Sequence, residues 1–230
     1  MTENRLRLRT VFRPVIDPVA SLFTRLRLTP NMVTAFGALL ATTTPFLMAN
    51  SEYLLFGIMV FLVGFLDGVD GAIARMTGTS TKWGGFLDSM LDRYGDSLIL
   101  LSYLFIPVAA PLGETKVLAI QFRMWICVAI IGSLMVSYTR AKSEAIGVRQ
   151  ADVGIAARSE RLLLLSVTGI LGCINEYIAV YGLVAVAALA NFTALYRIAH
   201  TNAILRREEE NLKQCGKDVH PKRGNRQRHS

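Results

Sequence analysis

The sequence predicts an all-α integral membrane protein, with six transmembrane helices preceded by an N-terminal interfacial amphipathic helix and both termini cytoplasmic. Three observations predict it. Hydrophobic residues make up 52% of the 230 positions, and mean hydropathy is +0.40. The apolar residues gather into runs, most of which at about 1.5 Å per residue are long enough to cross a ~30 Å hydrocarbon core. The formal net charge of +8 is concentrated in the two tails and in particular loops, which points to an anionic lipid surface. No base-reading motif accompanies it, so nucleic acid is not an expected partner.

Taken in order, residues 1–30 read as a basic arm and a juxtamembrane helix. Arg5, Arg7, Arg9 and Arg13 form the arm. Asp17 and Pro18 suit an N-cap and first helical position, after which Val19, Leu22, Phe23 and Leu26 share one face with Arg25 and Arg27 elsewhere. Such a helix lies on the membrane. The arm leads into this Pro-interrupted segment in place of a short apolar core with a cleavage site, so no cleavable signal peptide is expected.

Thr29-Pro30-Asn31 restarts the helix and opens a six-span domain over residues 31–204. The spans are expected at about Asn31–Ala49, Tyr53–Arg75, Gly84–Ala109, Lys116–Lys142, Arg158–Cys173 and Tyr177–His200. The fifth is the shortest, and its Arg158 and Arg161 belong at the interface. Thr42 to Pro45 places hydroxyls beside a proline, where they can satisfy the backbone that proline leaves open. Connections near Asn50, Gly113 and Asn175 carry few cations, whereas the N-terminus, 75–82, 140–161 and the C-terminal tail carry many. The positive-inside rule then puts both termini in the cytoplasm. Arg123 sits apart, in the outer half of the fourth span. Residues 205–230 contain almost no apolar side chains and are expected to form a basic tail, either disordered throughout or helical and then disordered. Cys127, Cys173 and Cys215 have no paired spacing and suggest neither disulfides nor a zinc site.

The stretch DGVDGAIARMTGTSTKWGGFLDSMLD, from Asp67 to Asp92, is the chemical centre. An ionised side chain costs roughly 2.5 to 3.5 kcal/mol at the middle of a spanning helix, so four aspartates inside apolar spans imply a compensating cation or a wet cavity. Asp67 and Asp70 are three apart and Asp88 and Asp92 four apart, so each pair shares a helix face. If 78–83 is the turn between antiparallel helices, positions whose numbers sum to about 159 lie level. Asp67 then faces Asp92 and Asp70 faces Asp88. Converging carboxylates suit a hard divalent cation, Mg²⁺ or Mn²⁺. Gly71 would let a ligand approach the backbone or serve helix packing, and Arg75 suits either a ligand anion or a cytoplasmic anchor.

DGVDGAIAR, then eight residues, then GGFLDSMLD resembles the CDP-alcohol phosphotransferase signature at Asp67, Asp70, Gly71, Ala74, Arg75, Gly84, Asp88 and Asp92. The resemblance implies two metal ions, one held by Asp67, Asp70 and Asp88 and the other by Asp67, Asp88 and Asp92. It implies that Asp92 is the general base for an acceptor hydroxyl that displaces CMP from a CDP-lipid. Pro30, Asn31, Met32, Val33, Gly71, Arg75 and Thr81 are then expected to bind that CDP-lipid. SYTRAKSEAIGVR and GIAARSERLLLL resemble segments of the inositol-phosphate branch, which implies acceptor-phosphate contacts from Arg140, Arg158 and Arg197, with Lys142 in reserve. Cations at cytoplasmic helix ends also arise from topology alone. The row of acids continues to Asp96, read as a partner for an arginine.

The expected reaction joins CDP-archaeol or CDP-diacylglycerol to 1L-myo-inositol 1-phosphate at the cytoplasmic face of the cell membrane, in a homodimer. Glycerol 3-phosphate is the alternative acceptor. A divalent-cation channel or transporter is the alternative class, disfavoured because the acids fall about two to three helical turns from the cytoplasmic ends of their spans, in the inner leaflet and not at the midplane.

Overall fold

The computed structural model describes residues 8–106, 116–117, 120–148, 154 and 156–219, and these are helical apart from connections and one small ribbon. Among them, seven α-helices follow in order: α1 (Leu8–Arg25), α2 (Pro30–Ala49), α3 (Tyr53–Thr77), α4 (Lys82–Leu101), α5 (Phe122–Ala145), α6 (Arg158–Leu171) and α7 (Glu176–Val219). A 3-10 turn, Ser102–Phe105, extends α4.

Four helices are long and apolar enough to cross a membrane: α2, α3, α5 and the Glu176–Leu212 part of α7. They make this a membrane protein. The other two expected spans differ for physical reasons. Helix α4 carries Lys82, Asp88, Asp92, Arg93 and Asp96 in 20 residues, and α6 has only 14 residues, about 21 Å of rise against a ~30 Å core.

Several boundaries also move. Helix α1 starts no later than Leu8 and runs through Pro14 and Pro18, so Asp17 does not cap it and instead pairs with Arg13 at 3.3 Å. Packing decides this. Ile16 and Ala20 are buried with Val33, Leu66, Val69 and Ile73, and a β-carbon added at Gly68 would come within 2.8 Å of Ile16, so α1 lies tight against α3. The fourth segment becomes helical only at Phe122, because Lys116–Val117 pairs antiparallel with Ile120–Gln121. The stretch after Leu205 remains helical to Val219, as its Arg-, Glu- and Leu-rich composition favours; 220–230 lie outside the described residues, as does most of the basic arm. Arg123 is exposed near the start of α5, and Cys127 and Cys173 are free thiols.

Helix α2 follows its sequence closely. Thr29 caps it by accepting from Met32 N at 3.3 Å, with Pro30 at its first position. Pro45 has no N–H to give Ala41 O, and Thr44 Oγ1 supplies that bond at 2.8 Å. The main core gathers Phe56, Tyr103, Phe122, Ile126, Leu165 and Leu183 from both ends of the chain. Helix α2 packs on both α3 and α4, α3 packs on α6, and α5 packs on α7. Thus α3 and α4 are held chiefly by their neighbours, which leaves a cleft between their facing sides.

Candidate active site

The acidic residues line that cleft. Asp67, Asp70 and Asp88 each offer a carboxylate oxygen, and these oxygens lie within 4.8 Å of one another. Asp70 is buried and accepts a hydrogen bond from Thr34 Oγ1 at 2.7 Å. Asp67 and Asp92 face each other across one nitrogen, since Arg158 Nη1 is 2.9 Å from Oδ1 of each. The antiparallel register expected from the spacing is therefore present. Three oxygen donors this close repel unless a cation joins them, and their hard-ligand chemistry fits Mg²⁺ or Mn²⁺.

Two polar hollows open on these carboxylates. One, about 270 Å³, is lined by Pro30, Asn31, Gly71, Arg75, Thr81 and Asp88, among others. The second, about 440 Å³, adds Arg13 and Asp17 of α1 to Asp67, Asp70, Gly71, Arg75 and Asp88. Gly71 keeps their shared wall low: an added β-carbon would meet only Arg75 Nη1, at 3.3 Å. Thr81 caps α4 by accepting from Gly84 N at 2.9 Å. An added β-carbon at Gly84 would lie 3.0 Å from both Asn31 Oδ1 and Thr81 Oγ1, so this glycine lets the starts of α2 and α4 close together. An apolar groove begins beside Asp67 and is walled by Phe12, Ile16, Phe61, Phe65 and Leu162.

The predicted nucleotide residues separate in this geometry. Pro30, Asn31, Gly71, Arg75 and Thr81 line one hollow. Met32 is exposed, and Val33, buried in the α1–α2–α3 contact, lines a separate small hollow with Thr34, Asp70, Asp92 and Arg158.

The predicted acceptor cations separate too. Arg158 is brought to the aspartates: besides Asp67 and Asp92, its Nε donates to Asp96 Oδ1 at 2.9 Å. Arg161 Nη2 lies 3.7 Å from the other Asp96 oxygen, so Asp96 has its arginine partner. Arg197 is buried and donates from Nη1 to Val136 O at 2.6 Å. Gly154, at φ +123, passes beside it, and there an added β-carbon would lie 2.7 Å from Thr193 Cγ2 and 3.4 Å from Arg197 Nε. Arg140 is exposed and pairs with Glu144 at 2.9 Å, and Lys142 is exposed. Sequence reasoning missed Thr34, Arg161's contact with Asp96 and the phenylalanine groove. Thr34 lies one turn after Pro30, and only the packing of α2 on α3 reveals that this face meets Asp70.

Residues 27–196 match the family model described as CDP-alcohol phosphatidyltransferase. The chain belongs to that family. Among its relatives is an archaetidylinositol phosphate synthase of Pyrococcus horikoshii, 32% identical over 84% of this chain and 93% of the relative. A phosphatidylinositol phosphate synthase of Cutibacterium acnes is 34% identical over 68% of this chain and 74% of the relative. The fold matches the crystal structure of Mycobacterium tuberculosis phosphatidylinositol phosphate synthase with CDP-DAG bound, with a TM-score of 0.69 at 23% identity, over 82% of this chain and 94% of that one. The same enzyme in complex with manganese and citrate matches at a TM-score of 0.66. This CDP-alcohol phosphatidyltransferase is thus a membrane transferase with an acidic cluster fit for divalent metal.

Proposed function

We propose that the enzyme transfers an archaetidyl-type phosphate group from CDP-archaeol to 1L-myo-inositol 1-phosphate, releasing CMP. The observation that carries this reading is the position of the three clustered carboxylates, where polar hollows meet an apolar groove. A CDP-lipid has the same two-part chemistry. Its nucleotide and diphosphate suit the hollow walled by Asn31, Gly71, Arg75 and Thr81, and its chains suit the groove of Phe12, Phe61 and Phe65. Met32 and Val33 shape the α2 start and need not touch the nucleotide.

In this reading Asp67, Asp70 and Asp88 hold one Mg²⁺ or Mn²⁺ and Asp67, Asp88 and Asp92 a second. When bound, the ions neutralise the diphosphate and stabilise the attacking and leaving oxygens. Asp92 accepts the proton of the inositol hydroxyl. That oxygen bonds to the β-phosphorus, whose bond to the bridging oxygen breaks, and CMP leaves with the electron pair. Arg158 turns from the carboxylates toward the acceptor phosphate, for which its planar fork is suited. Arg197 supports the backbone at Gly154, and Arg140 and Lys142 remain candidates for a more outlying phosphate contact.

The inositol assignment is supported by two relatives named as synthases of inositol phospholipids. An archaeol donor is supported by the greater coverage of the archaeal one. For topology we propose all six helices α2–α7 crossing or entering the bilayer, α1 at the interface, and the cation-rich ends on the cytoplasmic side of the cell membrane. The division at 30 and 204 and a homodimeric assembly complete the proposal, the latter on family grounds.

The reading is tested by CMP release in detergent from CDP-archaeol and inositol phosphate. Release that needs lipid, acceptor and Mg²⁺ or Mn²⁺ together, and stops with EDTA, supports it. Metal-independent release, or none with any polyol phosphate, overturns it.

A further inference from the structure

Asp96 has no part in the metal sets or the base role just proposed, yet each of its two oxygens meets an arginine. It lies one turn beyond Asp92 on the same face of α4. One oxygen takes Nε of Arg158 at 2.9 Å, and the other faces Arg161 Nη2 at 3.7 Å. Arg161 is itself buried, with its Nη1 3.5 Å from Ala156 O. Asp96 is thereby fixed between two arginines one turn apart on α6.

The choice of nitrogen matters. Nε is the atom nearest the stem of the guanidinium, so a carboxylate there sets the plane of the group while both terminal amino groups keep their reach. In this state Nη1 is spent on Asp67 and Asp92, at 2.9 Å from each. A divalent ion held by Asp67 and Asp92 would compete with Nη1 for their negative charge. The single positive charge of Arg158 is divided among three carboxylates, and Asp96 draws it away from the two that the ion needs. A phosphate that takes up the terminal amino groups would act in the same direction.

We propose that Asp96 is the positioning residue of the acceptor site: it anchors Arg158 by Nε so that the guanidinium can leave Asp67 and Asp92 and present its amino groups to the acceptor phosphate. This rests on the assignment of Arg158 to that phosphate. Two consequences separate positioning from mere packing. Without the Asp96 charge, Arg158 settles harder on Asp67 and Asp92 and disfavours metal there. Without Arg158, Asp96 has nothing to position.

The test is Mn²⁺ binding followed by EPR, together with kinetics, on the full-length wild type, D96N, R158Q and the double variant. D96N is expected to bind Mn²⁺ at least about threefold more weakly and to raise KM for inositol phosphate about tenfold or more, the scale of one charge-assisted hydrogen bond, while kcat at saturation stays within about threefold. In the double variant Mn²⁺ affinity returns to the wild-type level or above. If D96N leaves both quantities unchanged, or if the double variant binds Mn²⁺ as weakly as D96N, Asp96 does not act through Arg158 and the proposal falls. Should D96N fail to fold, Asp96→Glu carries the same comparison: a displaced carboxylate raises KM in the wild-type background and leaves R158Q unaltered, and a rise in both backgrounds overturns the idea. Absence of turnover by the wild type would sink the assignment of the reaction instead, and the Mn²⁺ comparison would still decide the link between Asp96 and Arg158.

Discussion

Asp92 and Arg158 share one contact, and they answer differently to substitution. Asp92→Asn keeps the shape of the side chain but removes the base, so kcat is expected to fall by about 10²-fold or more with CDP-lipid binding still measurable by titration. Wild-type turnover would remove Asp92 from that role. Arg158→Gln is expected to raise KM for the acceptor phosphate and also to lower the melting temperature of the metal-free protein, because Asp67, Asp92 and Asp96 all lean on this guanidinium. Added Mg²⁺ should recover much of that loss, since it supplies the missing positive charge. An unaltered melting temperature would mean the three contacts contribute little. Thr34 orients Asp70 through a 2.7 Å bond, and Thr34→Val is expected to weaken Mn²⁺ binding about 10-fold or more, as for other groups that hold a ligand from behind. The aspartates were legible at this scale because acids inside apolar helices have few bland explanations. Thr34 was not, because a threonine on an apolar helix commonly bonds its own backbone, as Thr42, Thr43 and Thr44 do here and as Thr34 also does, 3.1 Å from Pro30 O.

At the scale of the helix, the catalytic geometry depends on how α6 crosses α3. A β-carbon added at Gly57 would come within 2.6 Å of Ser166 O and 2.7 Å of Ile170 N, and backbone cannot turn aside as a side chain can. Ser166 Oγ also donates to Gly57 O at 2.8 Å. Since α6 carries Arg158 at its first position, the crossing fixes where that arginine meets the aspartates. Gly57→Ala is expected to destabilise the protein by about 1 to 3 kcal/mol, the usual scale of overpacking, and to raise KM for the acceptor through the shifted α6. Thermal denaturation and kinetics would read this. Gly37→Ala is the control: its β-carbon would meet Leu66 at an ordinary 3.8 Å, and the melting temperature should not fall. The start of α2 was legible because chemistry marks it at Thr29-Pro30, whereas α4 starts at Lys82 behind a Thr81 cap and not at Gly84 as expected. The start of α1 was not legible, because Pro18 reads as an opening residue and only the fit of Ile16 against Gly68 shows the helix passing through it. The short α6 was legible in its start at Arg158 and nearly so in its end, at Leu171 against the expected Cys173; what the sequence did not reveal is the docking before it, where Ala156 N donates to Thr193 Oγ1 at 3.3 Å.

Across the whole molecule, one end of the bundle gathers the C-terminal part of α3, the N-terminal parts of α4 and α6 and the start of α2, and this convergence makes the cleft. Chain direction alone produces it, since antiparallel neighbours return to the same side. That much could be read from alternating apolar and basic segments. The apolar groove beside Asp67 could not, because it joins Phe12 of α1 to Phe61 and Phe65 of α3 and Leu162 of α6, residues that individually look like ordinary membrane-facing or core positions. On the proposed function, a lipid held in this groove would place its diphosphate over the acids, and a polar acceptor would enter past Arg158. The most direct measurement is the mass of the lipid product when inositol phosphate, glycerol 3-phosphate, serine and inositol are each offered with CDP-archaeol and with CDP-diacylglycerol in the presence of Mg²⁺ or Mn²⁺. Archaetidylinositol phosphate is the expected dominant product, absent when EDTA replaces the metal. A product formed from glycerol 3-phosphate alone, or no lipid product from any pairing, would contradict the proposed function.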